Sequence, residues 1–134
     1  MENFDLLPGQ TEEAEFTVEE AHTAKSMGSG SGDILATPML AAWMEATAGR
    51  LAARALPDGW QTVGSYIEIK HDAMTPAGEK VRVRAELGEK EGRELVFRIE
   101  AFDETGTVAE AVHKRILSKT AVLMRAMRQR KRKS

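Results

Sequence analysis

An α+β sandwich, in which an antiparallel sheet of about five strands wraps one long helix, is predicted by three features of this 134-residue chain. Residues 37–56 repeat apolar side chains at the period of a helix. Beyond residue 60 the period changes to two, the alternation of half-buried strands. "GEKEG" and "DETG" then join the last three runs by connections short enough for antiparallel hairpins.

Taken in order, residues 1–12 carry no periodic pattern and are expected to be flexible. "AEFTVEE" places Ala14, Phe16 and Val18 on one side of a short strand. "KSMGSGSGD", residues 25–33, reads either as a mobile lid or as a connector. Thr37 is expected to cap the long helix, with Pro38 at its first position and "PDG" stopping it near Leu56. Leu40, Met44, Ala48, Leu51 and Ala55 form its apolar stripe, widened by Ala41 and Ala52. Glu45, the sole acid between Ile34 and Pro57, lies at the edge of that stripe beside Gly49 and Ala52. The strand "TVGSYIEIKH" puts Val63, Ile67, Ile69 and His71 on one face, and Gly64 within it signals a bulge or a close approach. "EKVRVRAEL" and "RELVFRIEAF" alternate cleanly, whereas "TVAEAVHKRILSK" is apolar on both faces.

Composition bounds the function classes. With 42% hydrophobic and 30% charged residues, the chain fits one globular domain spanning residues 1–134. No apolar run is long enough for a membrane span, and the acidic start "MENFDLLPGQTEEAE" is unlike a signal peptide. Zero cysteines exclude disulfides, thiolate metal sites and cysteine nucleophiles, and a cytoplasmic location is the expectation. The three histidines are too scattered to suggest a metal site. Residues 125–134 carry six positive charges and no negative one, which leaves about −8 on the remainder of a chain whose net charge is −2. That basic tail is expected to be a flexible, solvated terminus. It lacks interleaved aromatic residues, so no nucleic acid is expected as a partner.

"ATPMLAAWMEATA", "GSYIEIKHDAMTPAGEKVRVRAEL" and "AEAVHKRI" together resemble the signature segments of the fluoroacetyl-CoA thioesterase-like family, a branch of the hotdog-fold acyl-CoA thioesterases. The resemblance runs over about residues 13–120. In that family a Thr opens the central helix, a Glu follows eight residues later, and a His closes the next strand before a Thr-Pro turn. The matching positions are Thr37, Glu45 and His71, with "TPAG" at 75–78. Gly64 and Arg115 match a further Gly and Arg of the pattern. The resemblance implies a hotdog fold, hydrolysis of a small acyl-CoA without a dissociable cofactor, and a homodimer or dimer of dimers. It implies catalysis by Thr37, Glu45 and His71, with Gly64 and Arg115 binding substrate. The fluoroacetyl-specialised type carries bulky aromatic residues before its Thr, where this chain has "MGSGSGD". A more open pocket is therefore expected, and the fluoroacetyl specificity is not carried over.

The residue types suit the chemistry. Thioester hydrolysis needs an activated hydroxyl or water, a base, and donors for the developing oxyanion. His71 is the natural base, although a histidine ending an apolar strand face is often structural. Thr37 can be nucleophile or water-orienting hydroxyl, and capping alone also explains it. Glu45 can orient His71, activate water, or pair with Arg115 as a structural acid. About 12 Å of helix separates Thr37 from Glu45, too far for a direct hydrogen bond. Because hotdog proteins pair as dimers with sites at the interface, the resemblance implies sites that combine groups from two subunits. His113 reads as structural, His22 as solvated, and Tyr66 and Trp43 as packing residues. The alternative function is a hotdog module that binds an acyl-CoA or other small ligand without cleaving it. No Asp-x-Asn-x-x-His pattern supports a hydratase.

Overall fold

The protein is described by a computed structural model over residues 4–133. Strand β1 (Thr11–Thr17) leads through a short 3-10 turn (Glu20–His22) and helix α1 (Ala24–Met27) into the long helix α2 (Thr37–Ala53). Strands β2 (Trp60–His71), β3 (Lys80–Glu91), β4 (Glu94–Asp103) and β5 (Gly106–Lys119) follow, and helix α3 (Thr120–Lys133) ends the described chain. One antiparallel sheet has the order β1-β3-β4-β5-β2 and curls around α2. Among the described residues no helix is long and apolar enough to cross a membrane.

The core lies where the apolar stripe of α2 meets the concave sheet face. Leu40, Met44, Ala48 and Leu51 are buried against Val81, Val83, Ala85, Phe97 and Ile99. Removing side chains of this size from water contributes about 1.5–3 kcal/mol each. The helix is shorter than predicted, ending at Ala53 with a turn at Arg54. Arg54 leaves the helix to donate to Glu12 Oε1 at 2.9 Å and to the Thr11 carbonyl at 3.0 Å, tying the helix end to β1.

Three local expectations change. The parity predicted for β2 fails at its start, because a bulge between Gly64 and Tyr66 shifts the register against β5. Val63 is therefore out of step with Ile67, Ile69 and His71 and is left exposed, as is Tyr66. The tail expected to be flexible forms α3 over Thr120–Lys133, and Leu6, in the start also expected to be flexible, is buried. The glycine-rich stretch is compactly tied, with Ala24 donating to the Ile34 carbonyl at 2.8 Å and Ser29 to the Ala24 carbonyl at 3.0 Å. That arrangement is a connector, with Gly28 (φ 76°) ending α1 in the left-handed region.

Candidate active site

Two polar clusters lie along α2 and β2. The first joins the start of the helix to the end of the strand. Leu35 and Ala36 are held extended by donating to the carbonyls of Thr75 and His22, so the backbone turns helical only at Thr37. Ala36 is the N-cap and makes no side-chain capping bond. The predicted capping role of Thr37 is thereby corrected. Its hydroxyl lies one position inside the helix and meets His71 Nδ1 at 2.8 Å instead. The other ring nitrogen, Nε2, is buried with no hydrogen-bond partner. Burial pushes the His71 pKa below the ordinary 6.5, against the opposing pull of the Ala73 backbone and the Asp72 charge. At neutral pH the ring is therefore uncharged and one nitrogen is available to accept a proton.

The second cluster surrounds Gly64. A Cβ at this position would stand 2.9 Å from Glu45 Oε2, 3.3 Å from His113 Cε1 and 3.5 Å from Arg115 Nη1. A side chain here would displace those neighbours, and the bulge beside the glycine brings the backbone in. Arg115 is fixed from several sides. Its Nε donates to Thr62 Oγ1 at 2.8 Å and its Nη2 to the Thr62 carbonyl at 3.0 Å. Its Nη1 donates to His113 Nε2 at 3.2 Å and, more distantly, to the Glu45 carbonyl oxygen at 3.4 Å. His113 Nδ1 lies 2.7 Å from the Tyr66 carbonyl and donates to it. With one nitrogen donating and the other accepting, His113 is neutral, and burial lowers its pKa further than the Tyr66 carbonyl raises it. Burial lowers the pKa of Arg115 as well, and the Glu45 charge opposes that shift.

Of the five predicted site residues, Thr37 and His71 come into contact, and Glu45, Gly64 and Arg115 gather separately. Among the described residues no hydrogen bond or ion pair joins the two groups. Glu45 forms no side-chain ion pair with Arg115 among the described residues; its backbone carbonyl is what Arg115 touches. Two further members went unnoticed in the sequence. Thr62 is not among the predicted site residues, and His113 is predicted to be structural. Their signal was the shared inward parity of His113 and Arg115 on β5, opposite the first turns of β2. Among the described residues no group of three or more His, Asp or Glu side chains is placed to hold a metal ion.

The fluoroacetyl-CoA-specific thioesterase (FlK) family matches residues 18–121, most of the chain and both clusters. The chain belongs to this family. The fluoroacetyl-CoA thioesterase of Streptantibioticus cattleyicolor is 35% identical over 83 residues, covering 62% of this chain and 60% of that protein. The matched part thus spans about three fifths of the length of that curated relative. The crystal structure of a phenylalanine-to-alanine mutant of the thioesterase FlK superposes with a TM-score of 0.87 at 26% identity, covering 96% of this chain and 99% of that one. A hot-dog-like protein from Thermanaerovibrio acidaminovorans has a TM-score of 0.86 at 22% identity, over 92% of this chain and 91% of that one. The fold of this family member is accordingly the hotdog fold, one central helix wrapped by a five-stranded antiparallel sheet.

Proposed function

We propose that this family member is an acyl-CoA thioesterase that hydrolyses a small acyl-CoA to the free acid and coenzyme A, working in the cytoplasm as a homodimer or dimer of dimers. The observation that carries the reading is the 2.8 Å contact between Thr37 Oγ1 and His71 Nδ1, with a buried, unpartnered Nε2 on the same ring. A hydroxyl aimed at a neutral imidazole is poised to lose its proton as it becomes nucleophilic. Thr37 attacks the acyl carbon, or orients a water that does, and His71 takes the proton. The C–S bond breaks, and the proton passes to the departing thiolate. Where Thr37 is the nucleophile, the acyl group stays on its oxygen as an ester until water hydrolyses it to the free acid and restores the hydroxyl. The developing oxyanion faces the helix N-terminus, where free backbone N–H groups favour negative charge.

Glu45 and Gly64 enter this reading through a second subunit. β2 is an edge strand of 12 residues, an unpaired ladder of the kind that sheets cover or pair. If two β2 edges pair antiparallel about a centre near Ile67 and Glu68, the His71 end of one meets the Gly64 end of the other. One protomer's Thr37 and His71 then face the partner's Glu45, which activates water, and the partner's Gly64 and Arg115, which hold substrate. Water is the second substrate and no dissociable cofactor is required. Nothing in this reading calls for a membrane or a nucleic acid.

The test is thiol release from a panel of short, branched and aryl acyl-CoAs. The protein contains no cysteine, so a thiol reagent reports only product. Turnover that falls at least 100-fold in both His71→Ala and Glu45→Ala, with folding intact, is the expected result. Saturable CoA-ester binding without turnover across the panel would replace this reading with that of a ligand-binding module.

A further inference from the structure

We infer that helix α3 carries the docking site for the phosphate-bearing end of coenzyme A, with Arg130 as its cation and Met127 as the apolar step leading to it. The inference rests on the acyl-CoA reading above. Leu123, in the first turn of α3, lines a groove of about 550 Å³ together with Glu45, Gly64 and Arg115. The root of the helix is fixed beside that groove, since Thr120 donates its N–H to the Gly59 carbonyl at 2.8 Å and its hydroxyl to Gln61 Oε1 at 3.2 Å. At about 100° per residue, Met127 and Arg130 fall within about 40° of Leu123, so all three share the groove side of the helix. Arg130 lies about 10 Å along the axis from Leu123.

That order, apolar and then cationic, matches a ligand leaving the groove as an uncharged pantetheine arm and ending in a diphosphate and a 3′-phosphate. Met127 is 55% exposed, which leaves it free to cover such an arm. Arg130 takes part in none of the ion pairs formed among the described residues. α3 carries no acidic residue, while the rest of the chain is strongly acidic, so an anion approaching the groove is favoured along α3. Arg125, Arg128 and Arg132 form a second stripe about 140–200° from Leu123, on the opposite side of the helix. They serve as an internal control.

The test compares acetyl-CoA with acetyl-pantetheine, and CoA with 3′,5′-ADP, in wild type, Arg130→Glu, and the triple variant Arg125→Gln/Arg128→Gln/Arg132→Gln. Arg130→Glu is expected to raise KM for acetyl-CoA about tenfold or more with kcat within twofold, to leave acetyl-pantetheine unaffected, and to weaken CoA and 3′,5′-ADP equally. The triple variant should change KM for acetyl-CoA less than threefold at physiological salt. Equal kcat/KM of wild type for the two esters, or an unchanged KM in Arg130→Glu, would overturn the site. So would wild-type sedimentation with anionic phosphatidylserine vesicles that only the triple variant loses, which would assign α3 to a lipid surface. If no ester turns over, CoA binding still decides: loss in Arg130→Glu upholds the α3 site while the hydrolase reading fails, and retention sinks the site.

Discussion

His71 owes its usefulness to its place. It ends an apolar strand face, where burial keeps it uncharged at neutral pH, and it meets a hydroxyl that the helix start presents to it. Its protonated form has no nitrogen left to accept a proton. kcat/KM is therefore expected to fall as the pH drops through a midpoint below 6.5, the ordinary histidine value. A pH profile of thiol release measures this, and an acid limb centred above 6.5 would remove His71 as the base. Gly64 makes a different prediction. In Gly64→Ala the new methyl meets Glu45 Oε2 at 2.9 Å, the far end of a flexible side chain, so the carboxylate swings aside. Stability should change by less than about 1 kcal/mol, because the end of the half-buried Glu45 side chain can move and His113 need give only a few tenths of an ångström. Activity should fall tenfold or more, because a displacement of about 1 Å at a reacting group is costly. Urea unfolding and turnover on the same preparation separate the two effects.

At the level of elements, α2 couples packing to chemistry. One stripe of the helix is buried in the core, and its edges carry Thr37 and Glu45 to different ends of β2. Met44 is fully buried on that stripe, one residue before Glu45. Met44→Ala is expected to cost about 2–5 kcal/mol in urea unfolding through the cavity it leaves. β5 carries the buried His113 beside the half-buried Arg115, and this gives the protein a pH-dependent stability. The folded state disfavours His113 protonation while the unfolded chain protonates near 6.5, so the unfolded state binds more protons on the acid side. Stability is at its full value above pH 6.5 and is lost as pH falls below it. Urea midpoints at pH 8, 6.5 and 5 should trace that loss, and His113→Gln should lessen it, leaving the share of His71, whose pKa burial also lowers. An identical slope in the variant would show that other groups carry the effect.

For the whole molecule, the unpaired β2 edge and the separation of the two clusters point to the same arrangement. If each site takes Thr37 and His71 from one protomer and Glu45 from its partner, a mixture of His71→Ala and Glu45→Ala chains forms some dimers with one intact site. Unfolding and refolding the two inactive variants together should restore about a quarter of wild-type activity, as random pairing at a symmetric interface requires. No recovery, with mixed dimers demonstrated by mass spectrometry, would place each site within a single chain.

Much of this protein was legible in its residues. The helix with its apolar stripe, the alternating strands and the hairpin turns follow from local periodicity and turn chemistry, which hold whatever the rest of the chain does. The five candidate residues were legible through a motif whose spacing survives in sequence. The tertiary structure decided what those residues touch. Thr37 could be read as a cap, because an N-cap and a first-turn threonine differ by one residue; only the arrival of His71 from 34 positions away selects its partner. Gly64 signalled a bulge or a close approach, and the curvature of the sheet over α2 produced both. Thr62 and His113 joined the site because cross-strand register, which is non-local, sets them around Arg115. Periodicity fixes which face a side chain takes within its own element, whereas the neighbour it meets depends on how distant elements pack.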